Sequence, residues 1–206
     1  LIGHVENGWF AESFPRYDAI ASIVQNVSYD IPPLVLIPRK RTRSDSDEFL
    51  SVLEHELVHV NQAIRGTLPS REPKGELGAA IAAFFDVVRS EYDANLLQLA
   101  RWPKFFPHES VPSLEFWCVL RGLTEALESA VTGAFCSPKL LPLLLTALPD
   151  LFDNEFRKCH IDGSLVPSFK RRFAHFASIA VSSQIKLQPA LLQNASIRAA
   201  LRCLRC

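Results

Sequence analysis

Two histidines four residues apart, with a glutamate between them, are the side chains of this sequence best suited to chemistry. They stand in the run His55-Glu56-Leu57-Val58-His59. Positions i and i+4 of a helix share one face, so both imidazoles can present a nitrogen to one metal ion. A glutamate directly after the first ligand can take a proton from a water that attacks a carbonyl. The spacing predicts a catalytic metal centre with His55 and His59 as ligands and Glu56 as general base.

The metal expected at this pair is zinc, one ion per chain. Zinc takes nitrogen and oxygen ligands, polarises a carbonyl and lowers the pKa of its water to roughly neutral. In the alternative interpretation both histidines are hydrogen-bonded at the edge of a core. Glu56 would then be a charge buried without a partner, which is costly, so the metal interpretation is preferred.

The element that must carry this pair is a helix starting near Asp47. Ser46 or Asp47 can cap its N-terminus, and Gly66 supplies a stop. Apolar residues recur at helical spacing along it: Phe49, Leu50, Val52, Leu53, Leu57, Val60 and Ile64. The pattern therefore predicts that the motif faces a core.

Residues 52–60, VLEHELVHV, resemble the active-site helix of the zincin metallopeptidases. The resemblance implies a zinc peptidase that acts on a protein or peptide. The metzincin branch continues the motif to a glycine and a third histidine, and adds a methionine turn. Gln62 and Arg65 stand at those two positions, and the chain has no methionine, which excludes that branch.

The gluzincin branch takes its third metal ligand from a glutamate on a second helix. Residues 90–95, SEYDAN, are similar to that element, which makes Glu91 the expected ligand. Asp93 or Asn95 is expected to hydrogen-bond a ligand histidine. Because the segment between His59 and Glu91 is longer than in the compact members of this branch, other residues are kept as alternatives for the third ligand: Glu76, Asp86, Asp93, His108 and Glu125.

The same resemblance implies two further functions for residues of this chain. A side chain should donate a hydrogen bond to the oxyanion that develops on the carbonyl, and the candidates are His160, His175 and Tyr92. An extended peptide should pair with an edge strand ahead of the motif helix. The residues expected to form that strand are Leu34, Val35, Leu36 and Ile37.

The patterning as a whole predicts an α+β protein that is mostly α, with a small N-terminal sheet and the active-site helix followed by a helical C-terminal half. We expect one domain over 1–206, with the metal site in 1–110 and helices in 111–206. The expected strands cover 23–29 and 34–37. The expected helices after the first cover about 76–99, ending before Pro103, and then 114–135, 139–148, 150–159, 168–187 and 189–205.

Composition limits the partners and the compartment. Lys plus Arg and Asp plus Glu both number 22, which gives no argument for nucleic acid. The apolar run at 140–145 is far too short to span a membrane, so a soluble chain is expected. Five cysteines without framework spacing indicate reduced thiols and a cytosolic, reducing compartment. No oligomeric state follows from the sequence.

Three functional hypotheses follow. The first is a zinc endopeptidase, and a small zincin with reduced thiols resembles the effectors and toxins that bacteria secrete into host or target cells. The second is a catalytically inactive, zincin-derived module that binds a protein. The third is a zinc hydrolase that acts on a small amide or ester.

Overall fold

Helices make up most of the part of the chain that the structure describes. The computed structural model describes residues 2–5, 22–24, 34–38, 47–69, 74–131 and 139–187, together with Gln193, Ala195, Arg198 and Arg202. The residues described with their side chains are about 82% helical and form no sheet among themselves. The predicted α+β class is therefore wrong, and the part of the chain that the structure describes is mainly helical. The physical reason is that the β-prone segments pair over only a few residues each, whereas the buried core is built by helices.

Three short segments pair as strands at the N-terminus: β1 (Ile2–Val5), β2 (Ser22–Val24) and β3 (Leu34–Pro38). Their order is β1-β3-β2, with β1 parallel and β2 antiparallel to β3. Residues 34–37, predicted as an edge strand open to a peptide, thus lie in the middle strand. Because β3 is paired on both sides, its backbone cannot also receive a peptide by strand addition, and this prediction is corrected.

Helical segments occupy most of the remaining described chain. They are α1 (Asp47–Ile64), α2 (Leu77–Phe105), α3 (Leu114–Trp117), a π-helical turn (Cys118–Leu123), α4 (Thr124–Val131), α5 (Leu141–Lys158), a 3-10 turn (Gly163–Leu165) and α6 (Val166–Leu187). No described helix is both long and apolar enough to cross a bilayer.

Two helices continue through prolines at which they were predicted to stop. The second helix runs through Pro103 to Phe105, and Pro149 lies inside α5, which replaces two predicted helices. A proline inside a helix costs about 3 kcal/mol. The costs are offset by burial, because Leu148 and Phe152, on either side of Pro149, are fully buried. The predicted helix over 189–205 lies largely outside the described residues.

Contacts divide the chain into two compact units, and α2 contributes to both. One unit comprises Leu1–Leu68 and Asp93–Pro112, and the other comprises Pro69–Tyr92 and Ser113–Cys206. In the first, Val35 is buried against half-buried residues of α1: Phe49, Val52, Leu53 and Val60. The predicted division of a single domain at residue 110 stays a prediction.

The second unit contains a core of phenylalanines from three helices. Phe84 and Phe85 from α2, Phe152 and Phe156 from α5 and Phe169 from α6 are each 0–1% exposed. Their rings meet mostly edge to face, with centroids 4.8–6.4 Å apart. Burial of each ring stabilises the fold by about 1.5–3 kcal/mol. This core fixes the N-terminal part of α2, which leads to Glu91.

Candidate metal centre

The first helix, α1, buries a polar face. Asp47 and Glu48 in its first turn suit the positive end of the helix dipole. Gly66, at φ 69°, adopts the left-handed conformation that follows the helix end. The buried residues of α1 recur at spacings of three and four: Ser51, His55, His59, Gln62 and Ala63.

The burial on α1 differs from the simple apolar pattern of its sequence. Leu57 is 45% exposed, although His55 and His59 are only 6% and 5% exposed. Buried polar groups cost free energy unless they are paired. The first helix therefore buries polar imidazoles and exposes a leucine, which is the burial pattern expected of a functional site rather than of a simple core helix.

The two imidazoles of α1 are close enough to share one ion. Their Nε2 atoms lie 3.2 Å apart, and the rings meet edge to face at 77° with centroids 5.0 Å apart. Two bonds of ~2.0 Å that meet at a tetrahedral angle place their nitrogens ~3.3 Å apart. The separation in the protein matches this value, so both nitrogens fit the same coordination sphere.

Gln62 orients the second imidazole. The Nδ1 atom of His59 donates to Oε1 of Gln62 over 2.8 Å, in a buried contact. The carbonyl oxygen of Gln62 in turn accepts from the backbone nitrogens of Thr67 and Leu68 at 2.8 and 3.1 Å, and from the Thr67 hydroxyl at 3.2 Å. Gln62 was not predicted as a site residue. Its signal was its place three residues after His59, which puts it on the same helical face.

Glu91 completes a group of three possible metal ligands. One ligand atom from each of His55, His59 and Glu91 lies within 4.8 Å of the other two. This group could hold a metal ion. Glu91 is half-buried, and it lies close to Cys118. Burial first, and then the negative charge of Glu91, raises the pKa of the Cys118 thiol to about 12.

Two residues that follow Glu91 on α2 are buried and polar. Gln98 donates from Nε2 to the Ser51 hydroxyl over 3.0 Å. Asn95 is fully buried, and neither atom of its amide has a hydrogen-bond partner among the residues that the structure describes. Of the two predicted partners for a ligand histidine, Asp93 is exposed and Asn95 is the buried one.

The other predicted site residues lie outside the group of three. His160 is exposed at φ 56°, in the left-handed position that ends α5. The nitrogens of His160 and Ile161 bond to the carbonyls of Arg157 and Phe156, which is a common helix-ending motif. His175 is exposed on α6 and Tyr92 is half-buried on α2. Their role as oxyanion donors stays a prediction.

Among the described residues, no alternative third ligand belongs to a metal-binding group. Four of the alternatives are exposed and one is half-buried: Glu76, Asp86, Asp93 and His108, and then Glu125. The structure therefore favours Glu91 over all of them.

No family model, curated protein or solved structure matches this chain.

The donor set restricts the kind of metal that the group would take. Calcium and magnesium prefer sites made of oxygen atoms, and a thiolate set would favour soft ions. Two imidazole nitrogens with one carboxylate oxygen suit zinc and its first-row neighbours. On a tetrahedral ion, three protein ligands would also leave one coordination position open, which is typical of catalytic rather than structural zinc sites.

Proposed function

We propose that the chain is a zinc-dependent endopeptidase in which His55, His59 and Glu91 hold the metal and Glu56 moves the proton. The observation that supports this most directly is the convergence of the three ligand atoms within 4.8 Å. Convergence of side chains from two helices, on the pattern HExxH followed by a distant glutamate, is expected for a catalytic site and is rare by chance.

The charge of the donor set suits hydrolysis. Two neutral imidazoles and one carboxylate would leave one net positive charge on a zinc centre. Bound zinc supplies a Lewis acid, which polarises a carbonyl and eases the ionisation of water. Glu91 would provide the single negative charge, so the centre would stay electrophilic.

Glu56 would act as the proton carrier. It directly follows His55 on α1 and is half-buried, unlike the exposed Glu48 in the first turn of the same helix. Its carboxylate would take a proton from the attacking water and then give it to the leaving amine nitrogen. General acid–base transfer of this kind contributes about 10²- to 10⁴-fold in rate.

The substrate class depends on the resemblance of residues 52–60 to the zincins. On that basis we propose a protein or peptide substrate. A bacterial secreted effector or toxin that works in a reducing compartment stays a prediction, as does a module that only binds a partner.

The decisive experiment combines zinc analysis with cleavage of a random peptide library. The proteins to compare are the wild type, Glu56→Gln and the control Glu48→Gln, which changes an exposed glutamate of the same helix. About one zinc per chain is expected in all three, with cleavage by the wild type and Glu48→Gln only.

Other outcomes separate the hypotheses. A wild type without stoichiometric zinc, or full cleavage by Glu56→Gln, would overturn the proposal. Zinc without cleavage of any peptide would favour the binding module. Hydrolysis of simple amides or esters, with none of peptides, would favour the small-molecule hydrolase.

A further inference from the structure

The helix that follows Ser113 contains a wide turn. Between α3 and α4 the backbone becomes π-helical over Cys118–Leu123, and Cys118, Val119, Gly122 and Leu123 of this turn are buried. A π-helical turn is rare and is found frequently at functional sites, because it inserts a residue and shifts the side chains that follow.

One residue of this turn lies against the predicted third ligand. A Cβ atom built on Gly122 would lie 3.3 Å from the Cβ of Glu91 and 3.9 Å from the backbone oxygen of Val88. The first distance is shorter than an ordinary van der Waals contact between carbons, ~3.5–4.0 Å. Only a residue without a side chain allows this approach without a shift of Glu91.

Three other glycines do not share this property. A Cβ atom on Gly75, Gly78 or Gly163 would meet nothing within 4 Å. Cys118, at the start of the same turn, is close enough for the negative charge of Glu91 to raise the pKa of its thiol. Of the buried residues of the π-helical turn, Gly122 therefore lies against the Cβ of Glu91, and Cys118 lies within range of its charge.

We propose that Gly122 is a positioning residue for Glu91, and that the π-helical turn sets where the Glu91 carboxylate meets the metal. The inference rests on the proposed function, in which Glu91 binds zinc. Metal–ligand distances in well-formed sites lie within about 0.2 Å of their standard values. A displacement of a few tenths of an ångström at the Cβ of Glu91 is large on that scale, so a methyl group at position 122 should disturb binding.

The test compares Gly122→Ala with the control Gly78→Ala. Gly78 is exposed, lies on the same helix as Glu91 and has open space around it. Zinc affinity is measured by competition with a chromogenic chelator. Gly122→Ala should bind zinc on the order of 10- to 100-fold more weakly, the usual effect of changing a residue that supports a metal ligand. Gly78→Ala should bind as the wild type does.

A double-variant cycle separates positioning from general loosening of the protein. In a Glu91→Ala background the carboxylate is gone, so Gly122→Ala should cause no further loss of zinc affinity. A further loss as large as in the wild-type background would overturn the inference. If Gly122→Ala does not fold, the double variant Gly122→Ala/Glu91→Gly should fold, because it lacks the Cβ atom of residue 91 that the new methyl group would meet. A double variant that stays unfolded would also overturn the inference.

The same measurements distinguish this inference from the proposed function. A wild type that binds zinc and is weakened by Glu91→Ala, but not by Gly122→Ala, would overturn the inference alone. A wild type that binds no zinc would overturn both.

Discussion

Gln62 Oε1 lies 2.8 Å from Nδ1 of His59, and both residues are buried. An amide oxygen only accepts, so Nδ1 of His59 must carry the proton. In the neutral imidazole this leaves a lone pair on Nε2, the atom that lies 3.2 Å from Nε2 of His55. The contact therefore selects the tautomer that a metal ligand requires.

Replacement of Gln62 should weaken metal binding more than it weakens the fold. Gln62→Leu keeps the side-chain volume but removes the acceptor, so we expect zinc affinity on the order of 10- to 100-fold lower. The control is Asn61→Leu, at an exposed position next to it on α1. Isothermal titration with zinc measures both variants. Equal affinities in both would contradict an orienting role for Gln62.

The third ligand can be tested by two substitutions on one helix. Glu91→Gln removes a charge from the group of three, whereas Asp93→Asn removes one from an exposed position two residues later. We expect Glu91→Gln to lose most of its zinc after dialysis and Asp93→Asn to keep about one ion per chain. Elemental analysis after dialysis against a weak chelator decides this. Zinc retained by Glu91→Gln and lost by Asp93→Asn would reassign the ligand.

The sequence predicted α1 with its observed bounds because a helical apolar period, an acidic first turn and a C-terminal glycine all agree there. It also predicted which three residues group together. It did not predict the passage of α2 and α5 through prolines, because local propensity is overridden where neighbouring side chains are buried.

Other features of the site depend on contacts that no spacing reveals. From the sequence, Asp93 and Asn95 were equally suited to hydrogen-bond a ligand histidine. In the structure Asp93 is exposed and only Asn95 is buried. The approach of Gly122 to Glu91 joins residues far apart in the chain, through a π-helical turn that has no sequence signature. The pairing of β3 on both sides likewise depends on where β1 and β2 lie.

The buried thiol of Cys118 should make stability fall at alkaline pH. Its pKa is raised to about 12 in the folded protein, chiefly by burial and then by the charge of Glu91. Below the pKa of the unfolded thiol, about 8.5, both states are protonated and this group adds no pH dependence. Between about pH 9 and pH 12 only the unfolded thiol ionises, so the free energy of unfolding decreases by at most about 1.4 kcal/mol per pH unit.

Urea denaturation of the wild type and Cys118→Ala from pH 8 to pH 11, with chelator present, measures this effect. Cys118→Ala should lower stability at pH 8 because it leaves a small cavity, and it should show a shallower decline above pH 9. The two proteins differ in no other titratable group, so the difference in slope isolates the thiol. Parallel curves would mean that Cys118 ionises normally in the folded chain.

Substitution by leucine should change the free energy of unfolding in opposite directions at Asn95 and at Gln98, which lie one turn apart on α2. The Asn95 amide is fully buried without a hydrogen-bond partner among the described residues, which costs about 1–3 kcal/mol. Asn95→Leu should therefore raise the free energy of unfolding of the metal-free protein by about 1 kcal/mol. Gln98→Leu should lower it by about as much, because the buried Ser51 hydroxyl loses its donor.

A buried polar group that destabilises the fold calls for an explanation, and the role predicted for Asn95 is to bond a ligand histidine. We therefore expect Asn95→Leu to bind zinc, or to cleave peptide, at least several-fold less well than the wild type while being more stable. Urea denaturation and zinc titration on the same preparations test both effects. If Asn95→Leu were destabilised as much as Gln98→Leu, the amide would be paired in solution and the argument for its role would fail. If it gained stability with zinc binding and cleavage intact, Asn95 would have no part in the site.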